Sequence, residues 1–419
     1  MRMNKKLLIG LFAGVSLALS GCGSMDDSVS FINTPKLSNQ KQENLKETLN
    51  QILPKGFEFA TAKFSEPKQS IFTEDLNQDG SQEGIVLYHD INENKPVHIM
   101  VLQEKSGVWK KVSDMSTNLT YVDYFKINDL NKDGDKELII GAGITDMDAE
   151  KQIQIYEFKN NQLFTKVDDS YEWIDINDYN GDKKPEILLL SGEVGTSQKA
   201  TLYQYDNGKL KKLSSINISP DAHHENIVNG KLADGKNAVF IDSGVGAHSM
   251  LTEIISYENG KLVLVGNEFD GVLLKEYPLY SKDINHDGVI EVGGMYIPKG
   301  YEDAAMAEIP FIYTYNDYKI DGTKQTIAQR YNNDMYHFYI NIPKEWHNKV
   351  TIKKLDNGIN LLSTENQEIV FNVNWIDKEK YKGTGTKLGE NKNLVFYTES
   401  KVDTPISIEN FHLFAEDLK

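Results

Sequence analysis

The chain of 419 residues holds one cysteine, Cys22, so no disulfide can form within it. Arginine is nearly missing as well: Arg2 and Arg330 are its two occurrences. Basic residues number 45 against 62 acidic ones, a net charge of −17. That balance argues against nucleic acid as a partner, because phosphate binding depends on clustered positive charge. It favours a divalent cation instead. Beyond residue 19 there is no apolar run near the roughly 20 residues that a membrane-spanning helix needs.

The N-terminus reads as a targeting segment. Arg2, Lys5 and Lys6 form a basic start, and residues 7–19 are apolar but too short for a permanent span. The stretch ends in Leu19-Ser20-Gly21-Cys22, which resembles a bacterial lipobox. The resemblance implies a signal peptide over residues 1–21, with Cys22 acylated as the first mature residue. The lipid would then be the membrane anchor, with the protein on the extracytoplasmic side of the cell membrane. Removing residues 1–21 takes away three basic groups and no acidic ones, leaving 42 against 62, or −20.

Residues 22–56 read as a tether and a short helix. Residues 23–37 are rich in Gly, Ser, Asp and Asn. Ser38 can cap a helix carrying Leu45, Leu49, Ile52 and Leu53 at helical spacing, with Pro54 as its stop.

What dominates the chain is an acidic pattern, D-x-N-x-D-x-x-x-E, present four times. The copies are Asp75, Asn77, Asp79, Glu83; Asp129, Asn131, Asp133, Glu137; Asp178, Asn180, Asp182, Glu186; and Asp283, Asn285, Asp287, Glu291. Calcium takes six to eight oxygen ligands at variable angles. Alternate residues of a tight loop can turn side-chain oxygens at positions one, three and five, and a backbone carbonyl at seven, toward one ion. Glu at nine closes the shell, and Gly at six allows the bend. A single match would be weak, because Asp, Asn and Gly are turn residues. Four with constant spacing, each leading into a β-rich run, predict three or four structural calcium ions. Magnesium fits less well, since it demands tighter octahedral geometry. The third copy is the doubtful one: Lys183 replaces Gly at position six and Pro185 stiffens the exit.

Hairpin signals interleave with the acidic loops at 101–109, 155–163, 202–210, 255–262 and 312–320, three of them built on Asn-Asn or Asn-Gly. A degenerate loop at Asn229–Gly235 fills the gap, so the unit of four strands recurs five times. A blade cannot bury both its faces alone, whereas five in a ring can. The expected fold is therefore mainly β: a five-bladed β-propeller over residues 57–328, followed by a small α+β domain over 329–419 whose end, 406–418, is amphipathic and helical. Two β-sandwiches are the rival architecture.

These units resemble the FG-GAP/VCBS-type repeats of calcium-binding β-propellers, the group that includes integrin α-subunit heads. The resemblance covers about residues 57–328 and implies that each acidic loop joins the first two strands of a blade around structural calcium. The chain departs from that family in having Glu rather than Asp at position nine and in lacking a clear Phe-Gly…Gly-Ala-Pro signature. Its fourth unit is also degenerate.

In such a fold the loops between second and third strands occupy the face opposite the calcium loops, and they are the candidate face for a protein or glycan ligand. Asp146, Asp148, Glu193 and His248 lie in them. Asp146, Asp148 and Glu193 would be the carboxylates of a glycosidase-like alternative acting on envelope polysaccharide. His248 beside Ser249 lacks the context of a catalytic pair. Adjacent His223 and His224 on a strand would point opposite ways. No catalytic residue is expected. The predicted role is binding or scaffolding at the cell surface.

Overall fold

The computed structural model describes residues 39–63, 68–92, 96–143, 151–206, 208–245, 249–266, 271–275, 277–400 and 406–414. The leader, Cys22 and the tether lie outside the described residues. The chain divides into two compact units, residues up to 129 with 133–169, and 130–132 with 170–419.

The first unit opens with α1 (Asn39–Ile52). Leu45 and Leu49, one turn apart, are fully buried against Ile71, Val86, Met100, Leu102 and Trp109. Each such leucine contributes about 1.5–3 kcal/mol. The Trp109 indole N–H donates to the carbonyl of Lys41 at 3.1 Å, fixing the helix on its sheet. That sheet holds β1 (Phe57–Phe59), β2 (Ile71–Glu74), β3 (Glu83–Asp90), β4 (Val97–Lys105) and β5 (Val108–Ser116). Its order is β1-β3-β4-β5, with β2 also on β3. A second meander follows, β6 (Tyr121–Asn128), β7 (Glu137–Gly143), β8 (Lys151–Lys159) and β9 (Gln162–Tyr171). All seven residues of β7 are buried, whereas β5 is mostly exposed or half-buried. Second strands read as continuous apolar runs because both their faces are covered; the outer strands keep a wet face.

The second unit repeats the plan. Its first meander is β10 (Trp173–Asn177), β11 (Glu186–Glu193), β12 (Ser197–Asp206) and β13 (Lys209–Ile218). The next is β14 (His223–Lys231), β15 (Asn237–Val245), β16 (Ser249–Glu258) and β17 (Lys261–Leu264), with β18 (Val272–Lys275) also on β16. A fifth sheet runs β19 (Val292–Tyr296), β20 (Ile312–Tyr318), β21 (Lys324–Asn333), β22 (Phe338–Ile342) and then β28 (Phe411–Leu413). The sixth contains β23 (Val350–Leu355), β24 (Gly358–Ser363), β25 (Ile369–Asp377), β26 (Thr386–Glu390) and β27 (Leu394–Thr398). The described residues are thus mainly β, in antiparallel sheets.

Three local expectations are corrected. The fifth hairpin, expected over 312–320, is longer than that span. The strand continues to Tyr318, and the turn lies at 319–323, where the Lys319 N–H donates to the Thr323 carbonyl. Asn316 stays in the strand because its buried amide donates to the Val292 carbonyl and accepts from Thr326. Asp321-Gly322, with Gly322 at φ +81°, supplies the turn. Next, residue 329 lies inside β21, and β22 and β28 extend the same sheet. Ile312 and Tyr331 share one core with Phe338, Phe371, Trp375 and Phe396, so apolar packing crosses the expected boundary. Finally, of the helix expected over 406–418, residues 415–418 lie outside the described residues, and 406–414 form a single turn at Ile408–Asn410 followed by β28. Phe411 is buried against Phe338 and Phe396, and that edge pairing overrides helical periodicity.

Candidate metal-binding loops

The four acidic loops share one hydrogen-bonding plan. The N–H of position six donates to the position-one aspartate: Gly80 to Asp75, Gly134 to Asp129, Lys183 to Asp178 and Gly288 to Asp283, at 3.1, 3.1, 3.0 and 2.9 Å. The N–H of position seven donates to the position-five aspartate at 2.8, 2.9, 2.7 and 2.8 Å. In the first, third and fourth loops the N–H of position two donates to Oε2 of Glu83, Glu186 and Glu291 at 3.0, 2.9 and 2.8 Å. The acids thereby organise the backbone donors of the loop, and Asp178 and Asp283 do so with both oxygens. Two left-handed residues per loop make the bend: position four (Gln78, Lys132, Gly181, His286) as well as position six (Gly80, Gly134, Lys183, Gly288). Non-glycine residues in this region carry backbone strain of order 1 kcal/mol, retained where the surroundings enforce it.

What remains after that plan is a set of buried oxygens without a donor: Asp75 Oδ1, Asp129 Oδ1 and Glu291 Oε1. An unpaired buried carboxylate oxygen is costly, so these atoms fit a cation. Glu83, Glu186 and Glu291 are fully buried. Burial pushes all three carboxyls up to about 7, against the pull of the backbone N–H groups, and Asp79, Asp182 and Asp317 add to the rise. Asp79 sits below its usual range because the Ser81 N–H holds its charge. In the fourth loop Asp283, Asp287 and Glu291 bring one carboxylate oxygen each within 4.8 Å of one another, and this is the one such group of three among the described residues.

The third loop differs in kind. The Asn180 amide donates to both Asp182 and Glu186, at 3.2 and 2.6 Å. Glu186 also accepts from Tyr179 and Asn180 N–H groups, so both its oxygens are satisfied internally. Lys183 takes φ +70° where its counterparts are glycine. This loop fits a metal least well. In the degenerate fourth unit, the surviving Asp234 accepts from the Ile320 N–H at 3.0 Å instead.

The third strands beside the four acidic loops carry further residues that the loop pattern does not mark. Gln103 donates to Asp79 and Glu83 at 3.2 and 3.3 Å, and Gln204 donates to Asp182 at 3.4 Å. Burial raises both Glu291 and Asp317, with Asp317 adding to the rise of Glu291 and Asp287 to that of Asp317. Glu157 acts on Asp135 in the second loop and pairs with Lys159 at 3.0 Å. Strand register is the signal that identifies them. Sequence spacing alone contains no such mark.

The other expected residues are not gathered. Glu193 is exposed at the end of β11. Asp146, Asp148 and His248 lie outside the described residues. His223 is exposed and His224 turns inward to Glu172 at 3.1 Å, so the two do not share a ligand position. A further acid, Asp242, was not anticipated. Fully buried, it accepts from Lys275, Thr252, Asn226 and Ser281. The second unit also has an aromatic recess of about 630 Å³, walled by Tyr277, Phe311, Tyr313, Tyr331, Tyr336 and Trp375. Among the described residues no helix is long and apolar enough to cross a membrane.

No protein-family model matches the chain, and no curated protein matches it. Among solved structures it is similar to a hypothetical selenium-binding protein from Sulfolobus tokodaii, at 9% identity and a TM-score of 0.31. That match covers 51% of this chain and 56% of the other, so the chain spans little more than half of that protein. It is also similar to the rhamnogalacturonan lyase YesW (12% identity, TM-score 0.31, 83% of this chain and 73% of that one). The exotype rhamnogalacturonan lyase YesX gives 11% identity and a TM-score of 0.28, over 82% and 72% of the two chains. Likenesses this distant carry no argument about fold or function.

Proposed function

We propose that this protein is a lipid-anchored, extracytoplasmic calcium-binding β-propeller that binds or scaffolds a partner at the cell surface. The observation that carries the reading is the shared loop plan, in which backbone donors hold the acids in place while Asp75 Oδ1, Asp129 Oδ1 and Glu291 Oε1 stay buried without a donor, as a cation would need. Structural calcium would be held by Asp75, Asn77, Asp79 and Glu83, by Asp129, Asn131, Asp133 and Glu137, and by Asp283, Asn285, Asp287 and Glu291. The third loop, with Asp178, Asn180, Asp182 and Glu186, is the weakest holder. Calcium supplies the positive charge that lets these acids stay ionised while buried; it does no chemistry on a substrate. Extracellular calcium modules bind at about 10⁻⁴–10⁻³ M, which suits the outer side of a membrane.

The fold part of the proposal is that the five successive four-stranded units close as blades of one ring, in the manner of FG-GAP/VCBS-type repeats. Buried second strands and exposed fourth strands support it. The lipid part rests on the sequence around Cys22, and the ligand is a protein or a glycan. The aromatic recess is the candidate docking surface, since pockets of this size with aromatic walls are typical of ligand sites.

Calorimetric titration of the mature chain with Ca²⁺, and melting with and without EDTA, test the metal reading. Heat of binding and a higher melting temperature with calcium are expected. Zero heat together with an unchanged melting temperature would sink it. Crosslinking to the native envelope, in calcium and in chelator, tests the partner.

A further inference from the structure

We propose that Asp317 is an additional calcium ligand of the fourth loop, and that its cross-strand position sorts the loops into a stronger and a weaker class. The inference rests on the calcium reading above. In every unit the third strand runs antiparallel to the strand that follows the acidic loop. Glu83 pairs with Gln103 and Glu186 with Gln204. Val292 pairs with Asn316, which sets Asp317 opposite Glu291. Leu138 pairs with Tyr156, which sets Glu157 opposite Glu137. One residue in each third strand therefore stands beside position nine of its loop, 18 to 26 residues away in sequence.

The backbone is shaped for this contact. Toward the fourth strand, the register shifts between Val101 and Leu102, between Leu202 and Tyr203, and between Tyr315 and Asn316. Gln103, Gln204 and Asp317 follow those irregularities immediately. Bulges re-aim the side chains beside them. In the unit whose loop is degenerate, Ala238 stands at position nine and pairs with Ser256, and the pairing of β16 with β17 has no shift. A long polar group at this position and an acidic loop thus occur together and disappear together.

At the fourth loop two independent observations point to a ligand. Glu291 is fully buried and its Oε1 has no partner, while its carboxylate lies within 4.8 Å of those of Asp283 and Asp287. Asp317 Oδ1 is likewise buried without a partner, and Asp317 lines one recess with Asn285 and Asp287. A dication there would meet four carboxylates, whereas the first loop offers three. In the first loop Gln103 instead turns its amide N–H groups onto Asp79 and Glu83 and occupies oxygens an ion would need. Affinity in calcium loops follows ligand charge count and rigidity, so the fourth site should bind more tightly than the first.

The test is calorimetric titration of the full chain with calcium alone, comparing wild type, Asp317→Asn, Gln103→Glu and Asp287→Asn. Wild type should show at least two affinity classes. Asp317→Asn should weaken the tightest class about tenfold and leave the others in place. Gln103→Glu should strengthen a weak class, and it keeps the test alive should the Asp317 variant fold poorly. Should Asp317→Asn and Gln103→Glu both titrate like wild type while Asp287→Asn loses a class, Asp317 is no ligand and the calcium reading survives. Should wild type take up no calcium at all, the calcium reading itself fails.

Discussion

Asp242 and Glu291 are both fully buried acids, yet they are stabilised in opposite ways. Asp242 sits on β15 with Lys275 Nζ at 2.9 Å and donors from Thr252, Asn226 and Ser281 filling both its oxygens. Burial pushes its carboxyl up, but Lys275 and those hydrogen bonds outweigh it and hold it below its usual range. Glu291 accepts the Ile284 N–H on Oε2, has no partner on Oε1, and has three more acids around it. Its carboxyl rises to about 7. One acid is accompanied by its own cation, encoded 33 residues along the chain. The other has no such partner, and a cation is what the proposed calcium site would supply. A buried carboxylate therefore identifies a metal site only when its donor inventory falls short.

The largest expected effect lies on the self-sufficient side. Lys275→Met strands Asp242 in the interior and should cost about 3–5 kcal/mol, measured by denaturant unfolding. The loss should be the same with calcium or EDTA; a calcium-dependent loss would break the distinction between the two acids.

Calcium removal comes next. Saturating calcium at 100 times its Kd should add about 2.7 kcal/mol per site that binds only the folded state. Melting in calcium and in chelator reads it, and no difference would leave the loops as simple turns.

The pH response sharpens the contrast. Glu83, Glu186 and Glu291 have folded values of about 7 against an ordinary 4.5. In chelator the stability they permit is full below about 4.5 and falls as pH rises toward 7, because the folded form must then bury unpaired charge. Asp242 has the opposite sign. Its contribution is full above its ordinary 3.8 and is lost only as pH falls through its lowered value. Unfolding of the chelated protein across pH 4 to 8 should therefore show stability declining with pH, and calcium should cancel the decline. A flat profile in chelator would refute the assignment of protons to the position-nine acids.

The smallest effect separates a spent loop from a working one. Asp234→Asn weakens a single bond to the Ile320 N–H and should cost about 0.5–1.5 kcal/mol, with calcium uptake unchanged. A change in calcium stoichiometry would return the degenerate unit to the metal-binding set.

Much of the acidic loops was legible in the chain. Constant spacing of Asp, Asn and Glu is a local property, and the turns it specifies close within nine residues. The hairpins built on Asn-Gly were legible for the same reason. The fifth hairpin runs past its expected span of 312–320 because Asn316-Asp317, despite its turn composition, lies where strand burial and the contact of Asn316 with Val292 prevail. Over the described residues 406–414 the expected helix gives way to a strand where Phe411 finds an aromatic edge to pack against. Position four of the loops was also overlooked, since Gln78, Lys132 and His286 give no hint in composition of their left-handed backbone.

By itself the sequence determined the repeat, the loops and the identity of the acids in them, because each is fixed by residues within a few positions of one another. Only the tertiary structure decided which acids lack partners. Lys275 reaches Asp242, and Asp317 comes to stand beside Glu291, through strand register and bulges. Register is settled by which apolar faces are buried together, a property of the folded sheets that no short stretch of the chain contains.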